Sequence, residues 1–563
     1  MLAIAVLYLT TGAGQKLCAF SFQLKNPFTF YIKKHIFIKT DRQNCMPYLN
    51  RRASYNNFIL IFVFLKIVLN LLAISRFGFH RDELLHLALA DHMDWGYKEV
   101  PPFIAFIGKL THLAFGDSLV GARIITTICA ALIVWLTGKL TVEMGGKKFA
   151  VALACSAIIF SPSFAATGYL FQPVVFDQLW WVLMVWLTVR YINNDSSPKY
   201  LYFIGLVIGV GLLTKYTMAF FAGSLILALV FTKQRRLLWN KHVIGAALVA
   251  LIIVLPNLIW QYHHNWPVFG HMAELKQKQL DFIHPLDFTK QQLMSHGIAV
   301  ILWLTGFFFL LLSFKLRKFQ FLAFAYLLIF FFLMEMNGKS YYLFGAYPML
   351  FAAGGFGFDR WIKNILPLRI VILLAFIIPN LILLPIVLPV LSFERTLSFF
   401  DYINKHTDVL KSVTVWEDRQ HHATTQDYAD MLGWDEMTKK VADNYSTITP
   451  NKQRETIIYT TNYGEAGALR HLGKQYNLPQ PVSLASSFSL WAPPQINAKY
   501  IIYVSDTGDE DMIYYKDMLK AHVKLDSVTN TYAREKGTDI YLLEPKPEFY
   551  QRYHQRFIKA KTW

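Results

Sequence analysis

Apolar runs long enough to cross a lipid bilayer recur along this chain from about Phe58 to about Leu391, with the charged residues collected between them. A bilayer-crossing helix takes roughly 17 to 25 residues, and its backbone amides must be satisfied within the element itself. Repetition of such runs excludes one soluble core. The composition agrees: 54% of the 563 residues are hydrophobic and 16% are charged, whereas soluble domains carry about a quarter charged residues. The sequence reads as a polytopic α-helical membrane protein.

Apolar runs and basic flanks together predict about eleven spans, near 57–75, 120–142, 149–168, 174–191, 200–213, 216–232, 243–260, 296–314, 319–335, 343–358 and 369–392. With Arg51 and Arg52 inside, the clusters GGKK, RYINNDSSPK, KQRR, KLRK and DRWIKNILPLR all fall on the cytoplasmic side, as the positive-inside bias requires. The stretch 77–119, the turn at Lys215, the loop 261–295, the NGKSYY turn and everything after 393 then share the outer side. The expected location is the plasma (inner) membrane, crossed many times, with the C-terminal region extracytoplasmic.

The formal net charge is +18, but these clusters account for it as topology signals rather than a nucleic-acid-binding face. Cys18 and Cys45 precede the first span, Cys129 and Cys155 lie within apolar segments, and the C-terminal region has none. No disulfide framework and no CxxC metal spacing follow. Residues 1–55 form an N-terminal extension that opens MLAIAVLYLTTGAG without the charged start of a signal peptide. Met46, before PYLNRRASYNN, reads as the more natural start, and N-terminal sequencing of the native chain distinguishes the two.

Residues 56–392 are expected to form the membrane domain and 393–563 a separate outer domain. In the latter, IIYTTN, PVSLA, KYIIYVSD and TDIYLLE read as strands, while GEAGALRHLGKQYN and DMIYYKDMLKAHV read as helices. That alternation predicts a small α/β domain.

The residues most suggestive of chemistry stand in FGFHRDELLHL, at the exit of the first span. Asp82 and Glu83 open a short helix, where its dipole favours carboxylates; capping alone is an equally good account of them. Leu84, Leu85, Leu87, Ala88 and Ala90 give that helix an apolar stripe suited to the membrane interface. Lys215 in GLLTKYTMAF and Lys339 in MNGKSYYLFGAYP occupy minimal turns on the same side. Snorkelling explains either lysine alone; both beside a carboxylate pair make a constellation able to hold a phosphate while a carboxylate acts on a hydroxyl. Asp177, in VVFDQLWWVL, reads first as a helix-capping charge and otherwise as a site residue. Lys66 and Asn70, four apart in the first span, share a face expected to turn into the bundle.

The ordered series HRDELLHL, DWGYKEVPPFIAFIGKL, FDQLWW, GLLTKY, PNLIWQ, NGKSYYLFGAYPMLFAAG, QDYADMLGW and NYGEAGAL resembles bacterial members of glycosyltransferase family 39. This is the dolichyl-phosphate-mannose protein mannosyltransferase-like group, with the lipid A aminoarabinose transferase among its relatives. The resemblance implies a GT-C fold: a multi-helix membrane bundle, a catalytic first outer loop and a soluble outer domain. It implies transfer of a sugar from a polyprenyl-phosphate carrier to an acceptor hydroxyl on a protein, lipid or glycan.

By motif position the resemblance assigns Asp82 as catalytic carboxylate with Glu83 beside it. Arg81, Lys215 and Lys339 would contact the donor phosphate, and His80, Glu99, Asp177, Tyr341 and Tyr342 are further candidates for the substrate site. It names no certain cofactor and leaves room for a divalent metal. Val100 stands before the Pro101–Pro102 pair, where relatives often carry a polar or basic residue. A lipid transporter is the competing class, but no inverted repeat is evident and the charges gather at one surface; about eleven spans far exceed what a passive anchor needs.

Overall fold

The computed structural model describes residues 54–194, 196–362 and 364–561. The expected extension up to residue 53, with Met46, Cys18 and Cys45, lies outside the described residues. From Phe62 onward the chain packs as one unit.

Among the described residues, five helices are long and apolar enough to cross a membrane: Ser54–Leu71, Leu119–Glu143, Lys241–His263, Arg317–Glu335 and Leu366–Val387. A sixth candidate is the pair Pro285–Met294 and Gly297–Leu312, bent by 104°. Phe103–Phe115, Lys148–Phe160, Lys199–Thr214 and Thr217–Val230 are apolar but shorter. The expected span 149–168 breaks at Ser161, which is extended (φ −64°, ψ 126°) before Pro162 begins a five-residue helix. Proline disfavours helical geometry in the residue before it, and that is enough to split the run.

Loops predicted to share a side do meet. At one end Lys318 donates to Asn193 (2.7 Å), Gln234 to the Lys318 carbonyl (3.1 Å), and Arg190 pairs with Glu143 (2.7 Å). At the other, Asn257 holds the Trp95 carbonyl (2.7 Å) and Gln292 the Ser340 carbonyl (3.0 Å). Within the bundle, Lys66 and Asn70 are fully enclosed and turned inward, donating to the carbonyls of Phe164 (3.2 Å) and Gly168 (2.8 Å).

After the last long helix comes a five-stranded sheet in the order β2-β1-β3-β5-β4. Its strands are β1 Thr456–Thr460, β2 Val482–Ser483, β3 Tyr500–Ser505, β4 Leu519–Ser527 and β5 Asp539–Pro545. β1 is parallel to β2 and β3, whereas β5 runs antiparallel to both β3 and β4. The four expected strands are present. The expected helix DMIYYKDMLKAHV is only half helix: Asp509–Tyr515 coils, and LKAHV enters β4. The edge position explains the misreading. β4 exposes residues 520–524 and so lacks the alternating apolar face that marks a half-buried strand.

The stretch 77–119 folds into two helices, Arg81–Asp91 and Phe103–Phe115. The first does not lie in the membrane interface as its stripe suggested, because residues 83–90 are all buried. The helix Tyr463–His471 of the C-terminal region covers it, and Gly467 permits the approach: a Cβ there would stand 2.9 Å from the Leu84 backbone.

Glu83 anchors this arrangement. Its two oxygens accept from Arg123 Nε (2.9 Å) and Nη2 (2.7 Å), from the Phe171 amide (2.7 Å) and from the His80 amide (2.8 Å). Arg123 spends its remaining donors on the carbonyls of Ile74, Arg76 and Gly78. Those carbonyls belong to the turn by which the chain leaves its first helix, where Phe77 and Gly78 adopt φ of 68° and 90°. Left-handed backbone at a non-glycine residue is costly, and the arginine fork holds it in place.

Both side chains of the pair are fully buried, so Arg123→Met is expected to leave an uncompensated carboxylate and cost ~3–5 kcal/mol. A thermal-unfolding midpoint in detergent unchanged by this substitution would refute the anchoring role. Burial pushes the Glu83 carboxyl up, but Arg123 and the two amides outweigh it and hold its pKa below the ordinary value. The stabilisation is therefore complete above the unfolded carboxylate range of about 4.3 and is lost as pH falls through the lowered folded-state pKa.

Candidate active site

Asp82 sits in the first turn of Arg81–Asp91, whose N-cap is His80. His80 Nδ1 accepts from the Asp82 amide (3.1 Å), and its Nε2 faces Asp430 (3.8 Å) and Asp427 (4.0 Å) of the C-terminal region. With the capping geometry completed by His80 and Glu83, the Asp82 carboxylate is directed elsewhere. Its Oδ1 accepts from the Tyr463 hydroxyl (2.9 Å) and its Oδ2 from Gln172 Nε2 (3.2 Å). Each oxygen retains accepting capacity after one such bond.

Burial pushes the Asp82 carboxyl up; His80, His86, the Tyr463 hydrogen bond and Arg81 together outweigh it and hold the pKa below the usual carboxylate range. Asp82 is therefore ionised at neutral pH, partly exposed and held by two neutral donors. Such a group can take a proton from a hydroxyl placed within hydrogen-bond reach.

Arg81 is aligned by its amide bond to the Asp430 carbonyl (3.0 Å). Its guanidinium lies 4.6 Å over the Tyr463 ring, and Tyr463, Glu535, Asp430 and Asp82 favour its charged form. Arg81 is thus set among acidic groups and against the C-terminal region, which fits it to fix Tyr463 better than to receive a phosphate.

The two lysines do come together. Lys215 Nζ lies over the rings of Tyr341 (4.7 Å) and Tyr342 (4.4 Å), in a turn outside both neighbouring helices. Burial lowers its pKa to about 8, with Asp177 opposing and Lys339 reinforcing the shift. Neither Lys215 nor Lys339 has an ion pair or a hydrogen bond from its ammonium among the described residues. The Tyr341 phenol is kept protonated chiefly by burial, and the Asp82 charge adds to the effect. That coupling links the lysine–tyrosine group to the carboxylate.

Glu99 accepts a hydrogen bond from Ser487, whose oxygen in turn accepts from the Lys98 amide (3.0 Å). The other Glu99 oxygen is buried with no partner. Burial lowers the His271 pKa; Glu99 and Glu274 oppose that shift, while Lys98 and Lys339 deepen it. His271 therefore stands within electrostatic reach of both Glu99 and Lys339. Among the described residues no group of three or more His, Cys, Asp or Glu is placed to hold a metal ion.

Asp177 is not a helix cap. Its helix begins at Pro173 after Gln172, and the carboxylate instead accepts from Trp181 Nε1 (2.9 Å) and Thr217 Oγ1 (2.7 Å). It joins two helices beneath Lys215's turn.

Sequence reasoning missed Tyr463, Gln172 and Arg123. Asn462 and Glu465 form a capping box that starts the Tyr463 helix, and that pattern is readable in NYGE; what Tyr463 touches is not. Gln172 and Arg123 carry no local signal.

Residues 99–260 match the family model described as dolichyl-phosphate-mannose-protein mannosyltransferase, a segment that begins after Asp82. Over 203 residues the chain is 25% identical to the lipid A galacturonosyltransferase RgtD of Rhizobium johnstonii; the match covers 35% of this chain and 41% of that protein. Among solved structures, ArnT from Cupriavidus metallidurans bound to undecaprenyl phosphate aligns with a TM-score of 0.56 at 13% identity. That alignment covers 87% of this chain and 98% of ArnT. The apo form of the same protein aligns with a TM-score of 0.52, also at 13% identity, over 88% of this chain and 98% of ArnT. The resemblance drawn from the motifs holds as a likeness: residues 99–260 are similar to the protein mannosyltransferase-like glycosyltransferases, and the chain has a GT-C membrane fold.

Tyr463→Phe removes a donor that favours the Asp82 carboxylate, so the Asp82 pKa is expected to rise. Infrared titration of the carboxylate band, with Asp82→Asn as reference, measures the change. A pKa that stays put or falls would show that the tyrosine does not set the charge state.

Proposed function

We propose that this protein is an integral membrane glycosyltransferase that moves a sugar from a polyprenyl-phosphate carrier to an acceptor hydroxyl on the extracytoplasmic side, with inversion at the anomeric carbon. One observation carries the reading: a partly exposed, ionised Asp82 stands at the same end of the bundle as two lysines that form no ion pair among the described residues.

The acceptor oxygen attacks the anomeric carbon from the face opposite the phosphate. Its proton passes to Asp82, the bond from the anomeric carbon to the phosphate oxygen breaks, and that electron pair leaves on polyprenyl phosphate. Lys215 and Lys339 stabilise the charge that gathers on the departing phosphate, and the protonated phenols of Tyr341 and Tyr342 are suitable donors to its oxygens. Arg81 and Glu83 act by position: the first fixes Tyr463, the second fixes the helix start. Glu99, with one buried oxygen unclaimed, is available to orient a sugar or acceptor hydroxyl. The lipid-facing helices would admit the carrier's hydrocarbon, and the acceptor is a protein, lipid or glycan. The name of RgtD and the carrier bound to ArnT support this class of substrate.

Purified protein given a polyprenyl-phosphate sugar and an acceptor is expected to release polyprenyl phosphate. Asp82→Asn should lower turnover by ~10²–10⁴-fold, as loss of a general base does, while leaving the unfolding midpoint in place. Full turnover in that variant would exclude Asp82 as base. Lys339→Gln should raise the donor KM about tenfold, in line with loss of one charge-assisted contact. As pH rises through about 8, Lys215 loses its proton and the donor KM should climb. Lipid transport in proteoliposomes without any sugar transfer would replace this reading with a transporter.

A further inference from the structure

The outer domain holds a second recess, at the carboxyl ends of its parallel strands. β1 and β3 are parallel neighbours, yet the chain leaves β1 for β2 on one flank and leaves β3 for the opposite flank. In open α/β sheets such a reversal opens a crevice that ligands enter. Here Thr460 at the end of β1 and Thr461 after it, Ala485 after β2 and Asp511 after β3 line a cavity of about 820 Å³, a size that suits a small ligand.

Its charges are unevenly spent. The two lining carboxylates are engaged: Asp511 accepts from Tyr503 (2.8 Å) and Ser505, and Glu274 pairs with Lys278 (2.8 Å) and Lys98 (3.8 Å). The arginines of the closing helix Pro547–Lys561 form no ion pair among the described residues, although the Asp511 charge favours the charged form of Arg556. Arg556 donates to the Tyr515 hydroxyl; Arg552 donates to Gln555 (3.4 Å) and lies 5.4 Å over the Tyr514 ring. Arg552 Nε is buried with no acceptor, and neither arginine has an ion pair among the described residues. A planar guanidinium lacking a carboxylate is suited to bidentate capture of a phosphate or carboxylate. The half-exposed Tyr514 ring offers a flat apolar face for the C–H side of a sugar.

The recess adjoins the candidate active site. Lys98 lines it, and the neighbouring Glu99 is tied to the same Ser487 as the Lys98 amide. Thr461 stands two residues before Tyr463, which holds Asp82.

We propose that this crevice binds an anionic saccharide, a hexose bearing a phosphate or a carboxylate, and so holds the charged part of the acceptor beside the catalytic loop. Its assignment to the acceptor rests on the transferase reading; the binding itself does not.

Calorimetric titration of the full chain in detergent with glucose 6-phosphate, galacturonate and glucose tests it. Both charged sugars are expected to bind and glucose to fail, and the tighter of the two identifies the phosphorylated or the carboxylated class. Arg552→Gln should weaken binding roughly tenfold, and Tyr514→Ala, at a half-exposed position, should weaken it without burdening the fold. Absence of binding, equal binding of glucose, or unchanged affinity in both variants overturns the proposal. The titration needs no turnover and is repeated on Asp82→Asn. Failure of sugar transfer, read from polyprenyl phosphate release, is thereby separated from failure of the crevice.

Discussion

The buried pair of Glu83 and Arg123 is the constraint on which the membrane-facing half of the site depends. Taking two charges out of water is expensive, and here every donor and acceptor of the pair is employed. The carboxylate collects two amides as well as the guanidinium, and the guanidinium gathers three carbonyls from the turn at 74–78. One interaction therefore fixes the exit of the first helix, the start of the next and the segment at Phe171. Asp82 and Gln172 are the residues next along from two of those anchored points, which is why their side chains can meet at a defined distance.

The two acidic neighbours have different fates for that reason. Glu83 is enclosed and saturated, whereas Asp82 has one neutral donor on each oxygen and stays partly exposed. An analogous division separates the cations. Arg81 is committed to the C-terminal region by Tyr463 and nearby carboxylates, while Lys215 lies over two tyrosine rings and neither it nor Lys339 forms an ion pair among the described residues.

Much of the architecture was legible because hydrocarbon imposes simple rules. Apolar length located the helical segments, and basic loops sorted their ends, so Lys318 and Asn193 do meet as charge bias required. Reading failed where tertiary contact overrides pattern. The Leu84–Ala90 stripe looked interfacial, yet it is covered by a helix nearly four hundred residues away in sequence. The exposed edge strand β4 borrowed its order from β5 rather than from its own alternation. In the candidate site, the motif pointed to Asp82 and the two lysine turns, while Asp177 looked like a cap and proved to be a clasp between helices. Tyr463 and Arg123 were illegible because their meaning lies wholly in what they touch.

The hydrogen bond from Tyr463 to Asp82 joins residues 381 positions apart. Translation runs from the N-terminus, so each long apolar helix has left the ribosome before this tyrosine is made. The carboxylate accordingly receives its last partner only when the final fifth of the chain has been synthesised and has docked. A truncated or stalled product would carry the long apolar helices with Asp82 short of one donor, and the setting of this carboxylate is thereby tied to late biosynthesis.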